Sequence, residues 1–163
     1  MDNAFGEGKK TLNKARERVL RLLTYRDRSK QEVKEYLGKK GYNDEIKDLI
    51  IVEMASYGYI DDHKFALKFS NYRKRSGFGP IKTRHDLMLK GIDREVIDAA
   101  LDQTFNPEED RAMIVSLVNK RIKSGINIDK SRFYREVSFL KRRGFLDCDI
   151  ITALKDVFPK FDD

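Results

Sequence analysis

The chain has 163 residues, enough for one ordinary domain or a short array of small helical units, with 40% hydrophobic and 37% charged residues and a net charge of +7. That apolar share excludes full disorder, and no run approaches the roughly 18 apolar residues of a membrane span. Residues 1–11 hold no apolar stretch of the secretory kind and the single cysteine, Cys148, excludes an internal disulfide, so a cytoplasmic protein is expected.

Residues 1–11 contain two glycines and no periodicity and read as a flexible N-terminal arm. A first helix follows, with Leu12, Ala15, Val19, Leu22 and Leu23 on one face and Lys14, Arg16, Arg18 and Arg21 on the other, ending near Tyr25. Ser29 with Glu32 forms a capping box that opens a second helix, which stops at Gly41. Asn43 caps a third, which carries Ile46, Leu49, Ile50 and Met54 inward and breaks at Gly58. Asp61 or Asp62 caps a fourth, with Phe65, Phe69 and Tyr72 at helical spacing, and Gly77, Gly79 and Pro80 end it and start a fifth that runs to Lys90 and Gly91. Asp93 caps a sixth helix. Asn106 as cap, Pro107 in the first turn and the acids Glu108, Glu109 and Asp110 start a seventh, expected to reach about Ser124. An eighth starts near Asp129, buries Phe133, Val137 and Leu140 and stops at Gly144; a ninth takes Ile150, Ile151, Leu154 and Phe158. No stretch reads as a strand.

One local pattern occurs three times: a leucine, basic residues, a glycine, an apolar residue and a helix cap. It appears at Leu37–Tyr42, Leu87–Ile92 and Leu140–Phe145, with the glycines 50 and 53 residues apart. The expected fold is therefore all-α, an elongated array of three tandem three-helix repeats over 12–60, 61–105 and 106–163, stabilised by stacking of neighbours.

Charge follows the same period. Residues 9–40 hold twelve bases and four acids, 64–90 eight bases and one acid, and 120–143 nine bases and two acids. The third helices invert this, with six acids and one base over 44–62 and seven acids and one base over 93–110. A constant rotation between repeats would put the basic helices along one side of the array and the acidic ones along another, giving a stripe for phosphate backbones or an acidic protein. Charge density singles out Arg73, Lys74, Arg75, Lys82, Arg84 and Lys90 as the centre of that stripe, flanked by Lys39, Lys40, Arg142 and Arg143.

Two histidines and one cysteine do not make a conventional zinc site, GFGP at Gly77–Pro80 is a helix break and not a phosphate loop, and no nucleophile and base stand together. No catalysis, metal or cofactor is expected. Aromatic residues interleave with the bases; most have core spacing, and Phe78, between two glycines, is the best candidate for an exposed ring that stacks on an unpaired base.

Four stretches, GYIDDHKFA at Gly58–Ala66, the Arg73–Gly79 segment with Pro80 and Ile81, LMLKGI at Leu87–Ile92, and RVLRLLTYRDRSKQEVKEYLGKKGY at Arg18–Tyr42, carry a family likeness. Through them the chain resembles the RecX family of bacterial RecA regulators. The resemblance covers roughly residues 14–101 well, and the last third in layout. It implies three tandem three-helix repeats, no cofactor, and binding to the RecA filament on single-stranded DNA; duplex DNA is expected as a further ligand and a monomer as the binding form. It also implies inhibition of ATP hydrolysis, strand exchange and coprotease activity from the filament groove. A helix-turn-helix DNA reader is the alternative, disfavoured because its third helices would be the acidic ones. A non-catalytic helical scaffold is another.

Overall fold

A computed structural model describes residues 2–122 and 129–159. Nine helices occupy them: α1 (Asp2–Tyr25), α2 (Lys30–Lys39), α3 (Asp44–Ser56), α4 (Asp62–Arg75), α5 (Pro80–Leu89), α6 (Arg94–Thr104), α7 (Pro107–Arg121), α8 (Lys130–Arg143) and α9 (Asp147–Val157). There is no strand among the described residues. No helix there is long and apolar enough to cross a membrane.

The caps are those the side chains dictate. Ser29, Asn43, Asp61, Asn106 and Asp129 each accept from the backbone amide three residues on, and Ser29 and Glu32 complete the capping box. The leucine–glycine pattern is a Schellman cap: the amides of Tyr42, Ile92 and Phe145 donate to the carbonyls of Leu37, Leu87 and Leu140, at 3.2, 3.2 and 3.3 Å. Closing that bond puts the intervening glycine in the left-handed region, with φ of 83°, 70° and 80° at Gly41, Gly91 and Gly144. The apolar residue after each glycine then folds back toward the core, which is why the motif keeps a leucine at one end and an apolar side chain at the other.

Each helical triplet has its own core. Ala15, Val19, Val33, Leu37, Ile50, Met54 and Ile60 form the first. Phe65, Ala66, Leu87, Ile92, Ile97, Ala100 and Leu101 form the second. Ile114, Val118, Leu140, Phe145, Ile150, Ala153, Leu154 and Phe158 form the third. The fold is all-α, an elongated array of three-helix repeats strung in chain order.

The repeats join through the ends of their second helices. At the first junction the Ser29 hydroxyl donates to Lys90 O (2.7 Å), the Lys30 amide donates to Asp62 (3.0 Å), and Lys90 pairs with Glu32 (2.8 Å). At the second, the amides of Gly79 and Ile81 at the start of α5 donate to the carbonyls of Arg143 and Gly144 at the end of α8, at 2.8 and 2.9 Å. The positive N-terminus of α5 thus faces the negative C-terminus of α8, and that of α2 faces the C-terminus of α5, an arrangement the helix dipoles favour. Contact is close enough that a Cβ at Gly79 would run into Gly144 O, and one at Gly144 into the backbone of Lys82.

Several sequence expectations are corrected here. Residues 2–11, expected as part of a flexible arm, are instead the first part of α1, whose helix starts at Asp2. No proline interrupts it, and a helix anchored downstream gains one hydrogen bond per added residue, which offsets its two glycines. The seventh helix ends at Arg121, and Ser124 lies outside the described residues. Tyr72, expected inside, is 58% exposed, because the buried face of α4 runs through Phe65, Ala66, Phe69 and Ser70 and leaves Tyr72 to one side. Leu49 and Ile151 are also exposed, since Ile46, Ile50 and Met54, and Ile150 and Leu154, already fill their helices' inner faces. Phe78 is half-buried, with the guanidinium carbons of Arg73 and Arg143 at 3.6 and 4.8 Å from its ring centroid.

Candidate basic interface

The central segment is less available than its charge suggests. Of the eight bases in residues 64–90, seven have a carboxylate partner among the described residues: Lys64 with Asp61, Lys68 with Asp27, Arg73 and Lys82 with Asp86, Lys74 with Glu109, Arg84 with Asp98, and Lys90 with Glu32. Arg75, exposed at the end of α4, has none among them. The acidic third helices do not lie apart from the basic second ones. Asp48 on α3 pairs with Lys34 on α2, and Asp98 on α6 pairs with Arg84 on α5, the same contact one repeat later.

Four of the ten residues selected by charge density are taken up by the fold itself, three of them across the junctions and Arg73 within the second repeat. The Arg73 side chain is 16% exposed, stacked against Phe78 and bound to Asp86. Lys74, 17% exposed, reaches from α4 to the start of α7, donating to Thr104 O (2.7 Å) and Glu109 (2.5 Å). Lys90 spans the first junction to Glu32 and lies over Phe65 and Phe69. Arg143 spans the second, donating to Ser76 O and Gly77 O at 2.9 and 3.1 Å. Lys82 and Arg84 are half-exposed and paired. Lys39, Arg75 and Arg142 are exposed with no carboxylate partner among the described residues, and Lys40 lies over its own Tyr36 ring at 5.8 Å.

Glu32 is the electrostatic centre of the first junction. Burial opposes its ionisation, but hydrogen bonds from Arg26 and Lys90 prevail and hold its carboxyl at about 2. The cations there are spent on the carboxylate, not offered to a ligand.

Uncompensated positive charge collects instead on the first repeat. A groove of about 480 Å³ between α1 and α2 is lined by Lys14, Glu17, Arg18, Arg21, Leu22, Tyr25 and Tyr36. Lys14, Arg18 and Arg21 have no carboxylate partner among the described residues, Tyr25 stands 82% exposed at the groove, and Lys40 lies over Tyr36. Cations that have given up no charge, beside an open aromatic ring, suit an anionic strand with unpaired bases. The sequence carried this signal in the polar face of α1, but charge density alone ranked the central segment above it.

Two family models match the chain: the first three-helix domain of RecX over residues 15–53 and the second over residues 61–101. The Legionella pneumophila (strain Corby) Regulatory protein RecX is 32% identical over 145 residues, covering 88% of this chain and 93% of that protein. The Bacillus licheniformis Regulatory protein RecX is 33% identical over 154 residues, 93% of this chain, yet the match spans only 58% of the Bacillus protein. Among solved structures, the crystal structure of RecX from Lactobacillus salivarius superposes with a TM-score of 0.82 at 21% identity, covering 91% of this chain and 97% of that one, which shows the shared fold. With sequence likeness extending over nearly the full length of the Legionella protein, the chain belongs to the RecX family of regulatory proteins.

Proposed function

We propose that this chain binds a RecA-type recombinase filament on single-stranded DNA and lowers its ATP hydrolysis, strand exchange and coprotease activity by lying along the filament groove. The observation that carries the reading is that cations without a carboxylate partner among the described residues occur in each repeat of an array of this family: Lys14, Arg18 and Arg21 beside Tyr25 in the first, with Lys39 and Lys40 at the end of α2, Arg75 in the second and Arg142 in the third. Charges placed along an elongated body can meet successive phosphates or acidic side chains of a repeating partner. Lys74, Lys90 and Arg143 act in this reading by holding the repeats in register, Arg73 by tying α4 to α5 within the second repeat, and Lys82 and Arg84 stand at the margin of the interface.

The test is a RecA-type ATPase assay on single-stranded DNA with this protein added at substoichiometric amounts. ATP hydrolysis falls if the reading is right, and the Arg18→Glu/Arg21→Glu variant inhibits at least about tenfold less well, as expected when two charge-assisted contacts turn repulsive. Full activity at saturating protein defeats the proposal.

A further inference from the structure

The carboxylates of an acidic crevice stand where the repeat does not call for them. The crevice lies between the second and third repeats, a cavity of about 290 Å³ walled by Pro80, Ile81, Leu101, Phe105, Pro107 and Leu146, with Asp102, Asp110 and Asp149 in its lining beside one cation, Arg84, whose charge is taken up by Asp98. Asp110 is the fourth residue after the α7 cap Asn106; the fourth residue after the α4 cap Asp61 is Phe65, a core residue. Asp149 is the third residue after the α9 cap; its counterpart in α6 is Val96, packed against the second core. Neither position needs an acid to build a three-helix repeat.

Asp110 is also costly where it stands. It is 3% exposed, its Oδ1 is buried with no hydrogen-bond partner, and the nearest cation, Lys74 Nζ, is 3.8 Å away and already engaged by Glu109 and Thr104 O. Burial, reinforced by the charges of Asp149 and Glu109, outweighs Lys74 and pushes its carboxyl up to about 6. A buried, unpartnered acid in a cleft calls for an explanation, and a ligand that pairs with it is one. Among the described residues no group of three His, Cys, Asp or Glu side chains could hold a metal ion. Phosphate would be repelled.

We propose that this crevice receives an arginine side chain of a partner protein, its guanidinium against Asp110 and Asp149 and its methylene stem along Leu101, Phe105 and Pro107. Apolar walls ending in carboxylates fit a long side chain with a cationic tip. Arginine suits them better than lysine because its planar fork pairs with carboxylates two bonds at a time, stacks on an aromatic face and is less strongly hydrated. The site is separate from the basic groove of the first repeat, so it stands or falls without the nucleic-acid reading.

The probe is N-acetyl-arginine amide, titrated into the full chain and followed by the backbone amide resonances of Leu101, Phe105, Leu146 and Asp149, with the neutral isostere N-acetyl-citrulline amide as comparison. Saturable shifts from the arginine probe are expected, with citrulline at least about tenfold weaker. The Asp110→Asn/Asp149→Asn variant loses the preference. In the unsubstituted protein, saturating arginine probe moves the carbon-detected titration midpoint of the Asp110 carboxyl downward from about 6. Equal response to both probes, or an unmoved Asp110 midpoint, overturns the proposal; should the double variant not fold, the Asp110 titration decides it alone.

Discussion

Asp110 and Glu32 are both carboxyls held between repeats, and their surroundings push them in opposite directions. Glu32 receives hydrogen bonds from Arg26 and Lys90, so its folded value lies below the unfolded one; the stability it contributes is present above about 4.5 and lost as pH falls toward about 2. Between those values the first junction loosens, and amide exchange at Ser29–Gln31 and at Gly91 should quicken before the three cores unfold. Simultaneous loss of protection in all three cores would show that Glu32 holds no separate joint. Asp110 is raised, so folding favours its protonated form and the fold is penalised once pH rises through about 6. Asp110→Asn, which keeps the shape and removes the charge, should raise the melting temperature at pH 7.5 by an amount worth roughly 1–3 kcal/mol, with the gain vanishing near pH 4. A pH-independent effect would mean the carboxyl is not desolvated.

The second helices are the connecting elements, and their C-terminal glycines separate local from tertiary requirements. Gly41, Gly91 and Gly144 share the left-handed conformation of the Schellman cap, but only the last two have a neighbouring repeat against them. A Cβ at Gly41 meets nothing within 4 Å, one at Gly91 lies 2.5 Å from Gln31 Cβ, and one at Gly144 meets the backbone of α5. Gly41→Ala should therefore cost about 1 kcal/mol, the conformational penalty alone. Gly144→Ala should cost at least about 3 kcal/mol, because strain is added to a clash with backbone that has no rotamer to move. Chemical denaturation of the two variants checks this, and similar losses would mean that the second junction is not close-packed. Gly41 has no neighbouring repeat against it among the described residues, so its cap lies open where the other two face a helix N-terminus.

At the scale of the whole molecule, the distribution of spent and unspent charge decides what the array offers a partner. The central segment carries eight bases against a single acid, yet its bases are largely neutralised by acids from its own or neighbouring repeats. The first repeat keeps Lys14, Arg18 and Arg21 free of carboxylates around Tyr25. If these side chains meet single-stranded DNA phosphates, the slope of log affinity against log salt should fall by about 1.4 in Arg18→Gln/Arg21→Gln, since each lost contact removes about 0.7. Arg111→Gln, which breaks a pair with Asp156, should leave the slope unchanged. An unaltered slope in the double variant would place the strand elsewhere.

The caps and the glycine stops were legible from residues within about six positions of one another, and the threefold period and the grouping of helices in triplets from the recurrence of that local pattern. The caps and stops rest on short-range hydrogen bonds: Ser29 with Glu32, Asn106 with Glu109, Tyr42 with Leu37. The family likeness was carried by the same short motifs. Which cations remain free was not legible, because the partners of Lys74 and Lys90 lie 35 and 58 residues away, and a run of bases reads alike whether or not acids close over it. Nor did any local signal separate Asp110 from a helix-start acid like its neighbours Glu108 and Glu109; only the packing of α7 against the preceding repeat buries it. Local hydrogen bonding follows from chain order, whereas desolvation and charge pairing follow from what the finished fold brings alongside.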